Sequence, residues 1–179
     1  MNLTDRWVRI DSKNIGAYRI FNIREDRYRL PRNHQEAPFF ILESNDWVNV
    51  IPVTEGGEVL LIRQFRFGIE EVTLEIPGGI VDSGYTPIEA GQKELLEETG
   101  FQSNEWEYLG VVHPNPIFLN NRCHSFLARD VKKIAEMTPE ESEEIEVLQV
   151  PFEEIKGLVR KGIITHSLVI SAFYLYQNR

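Results

Sequence analysis

Apolar and polar residues change over at short intervals through the first 45 residues. Tyr18-Arg19-Ile20-Phe21 and Phe39-Phe40-Ile41-Leu42 lie within AYRIFNIREDRYRLPRNHQEAPFFILES, a basic and aromatic stretch. A period near two puts successive side chains on opposite faces of a strand, so residues 1–45 are predicted to form a small antiparallel β unit. A unit of that size has little core of its own and is expected to pack on the main body or on a second subunit.

From Trp47 the pattern changes. WVNVIPV, EGGE and VLLIRQFRF read as strand, turn and strand, with Gly56-Gly57 supplying the turn, and VTLEI reads as a third strand leading into Pro77-Gly78-Gly79 and a loop through Gly84. WEYLGVV, CHSFLA and EIEVLQV are later strand candidates. Thr86, Pro87 and Glu89 form a helix start with a capping box, and Gly100 is a natural stop, so a helix is predicted from about Pro87 to Thr99. Two further helices are predicted at about 152–160 and 163–176. This order implies an α+β protein, with a mixed sheet covered by helices over residues 46–179.

Composition narrows the picture. A chain of 179 residues, 42% hydrophobic, can bury one good core. With 28 acidic against 19 basic residues the net charge is -9, which argues against a broad nucleic-acid surface. An anionic substrate would need local arginines, a metal ion, or both. A lone Cys123 excludes an intrachain disulfide and fits a reducing compartment. No apolar run approaches the roughly 20 residues of a membrane span, and MNLTDRWVRI lacks the apolar core of an export signal, so a cytoplasmic location is expected.

The helix ends on ELLEE. At about 100° per residue, Glu94, Glu97 and Glu98 share one flank. They sit in the last turn, where the helix dipole disfavours each negative charge by about 0.3 to 1 kcal/mol, and Glu94 with Glu98 is a like-charge pair four residues apart. Either the flank is a solvated acidic face, or a cation reverses both penalties. Oxygen ligands point to a hard divalent ion rather than zinc, and the glycines of EIPGGIVDSG let backbone oxygen approach the carboxylates.

Residues 78–101, GGIVDSGYTPIEAGQKELLEETGF, closely resemble the Nudix hydrolase signature, a 23-residue box that begins here at Gly79. The preceding LLIRQFRFG and LEIPGG are similar to the branch that cleaves ADP-ribose and nucleoside diphosphate sugars. The resemblance implies a Nudix α/β/α sandwich with a mixed sheet, Mg²⁺ or Mn²⁺ as cofactor, and hydrolysis of a diphosphate bridge to a nucleoside monophosphate and a sugar phosphate. It further implies a homodimer whose residues 1–45 help enclose the substrate. Glu94 and Glu98 match the direct metal ligands, the Gly78 carbonyl a further one, and Glu97 a ligand or water organiser. Two positions depart from the signature: Tyr85 stands where it has glutamate and Lys93 where it has arginine. The usual brace between those side chains is therefore replaced, and Lys93 can instead pair with Glu89 or Glu97.

Other assignments carry alternatives. Arg66, at a strand end, is a candidate diphosphate contact, or a surface partner of Glu70 or Glu71. Arg63 falls on the opposite strand face and either contacts substrate or braces a subunit interface. Glu75 resembles the branch's acidic residue beside the metal, or anchors a turn. Similarity places the general base in MTPEESEEIEV, with Glu143 the first choice, Glu141 the second and Glu144 behind both. Tyr18, Phe21, Tyr28 and Trp47 are either base-stacking or packing residues, and Arg27 and Arg29 either contact phosphate or ribose or are simply exposed. His113 and His124 have no ligand spacing and are assigned no metal. Action on another nucleotide diphosphate such as a capped RNA end, and a catalytically silent nucleotide-binding protein, are the competing readings.

Overall fold

The structure, a computed structural model, describes residues 6–139 and 143–179. In chain order its strands are β1 (Val8–Ala17), β2 (Asn22–Leu30), β3 (Gln35–Glu43), β4 (Trp47–Pro52), β5 (Glu58–Arg66), β6 (Glu71–Glu75) and β7 (Gly78–Ile80). Helix α1 (Pro87–Thr99) precedes β8 (Phe101–Gln102), β9 (Glu105–Val112), β10 (Cys123–Arg129), β11 (Lys132–Lys133) and β12 (Glu146–Pro151). A 3₁₀ turn (Phe152–Glu154), α2 (Ile155–Arg160) and α3 (Ser167–Gln177) follow. Among the described residues no helix is long and apolar enough to cross a membrane.

The chain divides into two compact units, Met1–Asn45 with His113–Asn121, and Asp46–Val112 with Arg122–Arg179. The first is an antiparallel sheet in the order β1-β2-β3. Its polar centre is Asp26, fully buried, which accepts hydrogen bonds from Ser12 Oγ at 2.7 Å and Arg24 Nε at 2.8 Å. Residues His113–Asn121, which the sequence boundary at 45/46 leaves with the main domain, join this unit: the Leu42 N–H donates to the Phe118 carbonyl at 2.7 Å.

The second unit holds a mixed sheet, β7-β4-β10-β9, and an antiparallel one, β12-β5-β6. Strands β4 and β10 run parallel, from Cys123 opposite Trp47 to Ala128 opposite Pro52. Alternation along β4 sends Val48 and Val50 toward α1, where a side chain at Gly91 would press on both valines. Ile51 and Leu127 face the other way and pack with Val169, Ala172 and Phe173 of α3. The sheet is thus covered on both faces by helices, the α+β arrangement expected.

Two local details differ from the sequence reading. Residues Gly78–Ile80 form a strand on β4 rather than loop, a pairing the side-chain pattern cannot signal because two of the three residues are glycine. The last helix begins at Ser167, not 163, because Gly162 turns with φ 68° and His166 is still extended.

Candidate active site

The cap signals around α1 act as read. Thr86 Oγ1 accepts from the Glu89 N–H while the Glu89 carboxylate accepts from the Thr86 N–H at 2.8 Å. At the other end Gly100 adopts φ 77°, and a Cβ there would run into the Ala135 carbonyl. The last turn carries no basic residue. The acidic end of α1 therefore lacks the usual compensation for the dipole.

The acids at this end are not equivalent. Glu98 is only 2% exposed and accepts a hydrogen bond from the Gly78 N–H at 3.0 Å. Glu94 lies against Gly79 so closely that a Cβ on that glycine would overlap its carboxylate. Gly78 is equally constrained, by the Val48 carbonyl and the Asn49 side chain. Burial raises the Glu94 carboxyl to about 7, assisted by the charges of Glu97, Glu143 and Asp82 and opposed by Lys93. Burial likewise raises Glu98 well above the ordinary range, with Glu94 and Glu143 adding to it and the Gly78 hydrogen bond and Arg66 opposing. This burial rules out a wholly solvated acidic face. Glu97 is partly exposed and pairs with Lys93 at 3.1 Å, while Glu89 is occupied in the capping box. Tyr85 is 49% exposed and gives Lys93 no brace.

Beside this cluster, Arg66 makes a two-pronged ion pair with Glu75, Nε to Oε1 and Nη2 to Oε2 both at 2.7 Å. Thr73 Oγ1 donates to the same carboxylate. Burial alone would raise Glu75, but hydrogen bonds from Arg66 and Thr73 outweigh it and hold the carboxyl below its ordinary range. The ion pair of Arg66 is thus with Glu75, not with Glu70 or Glu71, the alternative partners its place at the strand end offered. Glu71 is exposed, whereas Glu75 is 3% exposed on the same face of the β5–β6 hairpin, and the attraction between charges grows as water is removed. Arg63 points to the opposite face and pairs with its cross-strand neighbour Glu146 at 2.8 Å. Glu143 acts electrostatically on Glu94, Glu98 and Arg66, so the structure brings this loop residue to the cluster. Glu141 lies outside the described residues.

Among the described residues no group of three or more His, Cys, Asp or Glu side chains forms a ready cage for a metal. The donors present suit a different coordination. Mg²⁺-type ions take one or two carboxylates, keep several waters and use substrate phosphates, and one buried and one partly buried carboxylate, both under-compensated and beside a glycine backbone, fit that demand.

Residues 45–171 match the family model described as NUDIX domain. The chain belongs to the Nudix hydrolases. Members of this family generally need a divalent metal ion. The chain is 28% identical over 151 residues to an ADP-ribose pyrophosphatase of Bacillus subtilis, covering 84% of this chain and 81% of that one. It is 34% identical over 118 residues to a GDP-mannose pyrophosphatase of Cronobacter sakazakii, covering 62% and 61%. A crystal structure of an ADP compounds hydrolase superposes with a TM-score of 0.88 at 20% identity, covering 99% of this chain and 95% of that one, a likeness of fold.

The remaining candidates distribute over both units of this Nudix hydrolase. Trp47 Nε1 donates at 3.1 Å to Asn49 Oδ1, the atom against which Gly78 is wedged, so Trp47 stands one residue from the cluster. Arg27 and Tyr28 belong to β2 of the first unit, where Arg27 is exposed and Tyr28 packs edge-on against Phe39. Tyr18 and Phe21 pack on each other, and Arg29 pairs with Glu36. His124 contacts Tyr108 and Asp46, a structural role. Sequence reasoning missed Thr73, Asn49 and His166. Thr73 and Asn49 alternate correctly for the inward faces of their strands, a signal that was there to use; a single histidine before a helix carries none.

Proposed function

We propose that this protein hydrolyses the diphosphate bridge of ADP-ribose or a related nucleoside diphosphate sugar, with Mg²⁺ or Mn²⁺, giving a nucleoside monophosphate and a sugar phosphate. The observation that carries the reading is the pair Glu94, partly buried, and Glu98, buried, both with raised carboxyls and placed on the glycine corner of Gly78 and Gly79. In this reading Glu94, Glu98 and the Gly78 carbonyl hold the cation, with Glu97 a further ligand or an organiser of water. When bound, the ion neutralises phosphate oxygens and lowers the pKa of a water. Arg66, partly exposed and held through Nε and Nη2 by Glu75, orients the diphosphate. Glu143 accepts the proton of the attacking water, with Glu141 as the second candidate. No covalent intermediate is needed.

Several features support this substrate class. Two relatives are named for ADP-ribose and GDP-mannose pyrophosphatase activity. Trp47 of the second unit offers a ring for a nucleoside, and Arg63 is better spent on its pair with Glu146. Trp7, Ile10 and Phe40 of the first unit are exposed apolar residues, as expected for a homodimer surface. The free, buried Cys123 accords with the cytoplasm.

The decisive experiment incubates the protein and Mg²⁺ or Mn²⁺ with ADP-ribose, ADP-glucose, GDP-mannose, UDP-glucose, dinucleotides and capped RNA, and identifies products by mass. AMP and ribose 5-phosphate from ADP-ribose are expected. Lack of turnover across the panel, or turnover of capped RNA alone, overturns the reading. Separate kcat pH profiles of Glu143→Gln and Glu141→Gln assign the base, and two fully active variants would remove it from this loop.

A further inference from the structure

The register of the β5–β6 hairpin offers Arg66 one carboxylate, and its ion pair uses another. Arg66 lies opposite Glu71, Gln64 opposite Thr73 and Ile62 opposite Glu75. Each of these pairs is two residues from the next along both strands, so all three stand on one face. Arg66 therefore passes its direct neighbour Glu71 and reaches back past Thr73 to Glu75. The low dielectric around Glu75 makes this the stronger pair, but it does not set the orientation of the two groups.

Orientation is what a two-pronged pair demands, because two parallel N–H···O bonds form only when carboxylate and guanidinium lie near one plane. The last torsion of a glutamate side chain is broad, so the plane of its carboxylate has to be fixed by a further group. Thr73 is placed to do this. It is buried, and its Oγ1 lies 2.5 Å from Glu75 Oε1 but 3.5 Å from the Gln64 carbonyl oxygen. A hydroxyl has a single hydrogen to donate, and the shorter contact with the charged acceptor takes it. Threonine is also stiff at χ1, which holds the hydroxyl itself in place. Oε1 of Glu75 thus accepts from Thr73 and from Arg66 Nε, Oε2 accepts from Arg66 Nη2, and Arg66 Nη1 takes no part in the pair.

We infer, resting on the diphosphate contact proposed for Arg66, that Thr73 is a positioning residue: its hydroxyl sets the plane of the Glu75 carboxylate, and that carboxylate aims the Arg66 guanidinium at the diphosphate. Thr73 touches no substrate and acts through two side chains in series. A threonine that merely satisfied a buried acid would contribute to stability without governing Arg66.

Two variants separate these roles. Thr73→Val keeps the side chain's shape and removes the hydroxyl, whereas Thr73→Ser keeps the hydroxyl and removes the methyl group. Solvent exchange of the Arg66 Nε–H, followed by heteronuclear NMR with Mg²⁺ and assigned through Arg66→Lys, reads the hold on the guanidinium without any substrate. Steady-state kinetics with Mg²⁺ and ADP-ribose read its consequence. Thr73→Val is expected to speed the exchange about fivefold and to raise KM about fivefold at nearly constant kcat, while the backbone amides of β5 and β6 stay protected. Thr73→Ser is expected to remain within about twofold of the native protein in both measurements.

Unchanged exchange in Thr73→Val overturns the inference. So does equally fast exchange in Thr73→Ser, which would assign the effect to the methyl group. Parallel loss of backbone protection, or faster exchange with a native KM, reduces Thr73 to a structural role and also overturns it. If the native protein cleaves no sugar nucleotide while exchange responds as expected in both variants, the hold of Thr73 on Arg66 stands and the hydrolase reading fails; native turnover with unaltered exchange does the reverse.

Discussion

Two corners of the second unit bury carboxylates in opposite ways. Glu75, at 3% exposure, is clasped by Arg66 and Thr73, and its carboxyl lies below the ordinary range. Glu98, at 2%, receives one backbone N–H and sits beside Glu94, and both carboxyls are raised. Desolvation is the largest influence on all three, so burial alone does not distinguish them. What differs is whether the chain supplies the countercharge. A buried acid that is matched internally fixes a neighbouring arginine; one left unmatched is, in the proposed reading, held for a cation from outside.

The most severe way to break the contrast is to neutralise the unmatched corner. Glu98→Gln should lower kcat/KM about a thousandfold, as loss of a preorganised electrostatic group does, while raising the melting temperature of the metal-free protein at pH 8. Steady-state kinetics and calorimetry read the two opposite effects. Breaking the matched corner should cost stability instead. Glu75→Gln leaves a half-buried Arg66 without its partner, and a loss of about 3 kcal/mol in urea unfolding is expected at pH 7. Because the folded Glu75 carboxyl is depressed, its contribution is present above the ordinary value of 4.5 and is lost as pH falls through the folded value, so native and variant should converge in acid.

The sign reverses for Glu94. A carboxyl raised from 4.5 to about 7 binds protons in the folded state that the unfolded state releases, so metal-free protein should lose stability as pH rises through that window. Mg²⁺ should flatten or invert the slope, and Glu94→Gln should diminish it; a metal-independent slope would defeat the contrast. The smallest effect tests the signature departure. Lys93→Ala removes a half-exposed pair with Glu97 and should change stability by less than about 0.5 kcal/mol.

The parts of this contrast that were legible in the sequence are those set locally. Thr86, Pro87, Glu89 and Gly100 mark the two ends of α1 because capping involves neighbours within one turn. Spacing also gathered Glu94, Glu97 and Glu98, but it treated them as one flank. Only the packing of β7 on β4 buries Glu98 and leaves Glu97 to Lys93. Nearness in sequence offered Glu70 and Glu71 as alternative partners for Arg66, whereas the low dielectric around Glu75 decides the pairing. His166 became visible only once the turn at Gly162 brought its ring toward β5 and β6. Residues His113–Asn121 went unrecognised for the same reason, since their backbone bonds to β3 span a long separation.

The parallel pairing of β4 with β10 also sets an order of assembly. Every residue of β7 and α1 lies within the loop that this pairing closes, so the central sheet is a non-local contact reached late and slowly. α1 carries its own caps and can form early; β10, which extends the sheet beneath it, comes from far downstream. Until that pairing forms, one side of β4 would be an open, apolar edge, a place where a refolding chain can meet another copy of itself. The yield of refolded enzyme should therefore fall with protein concentration even when its final stability is ample.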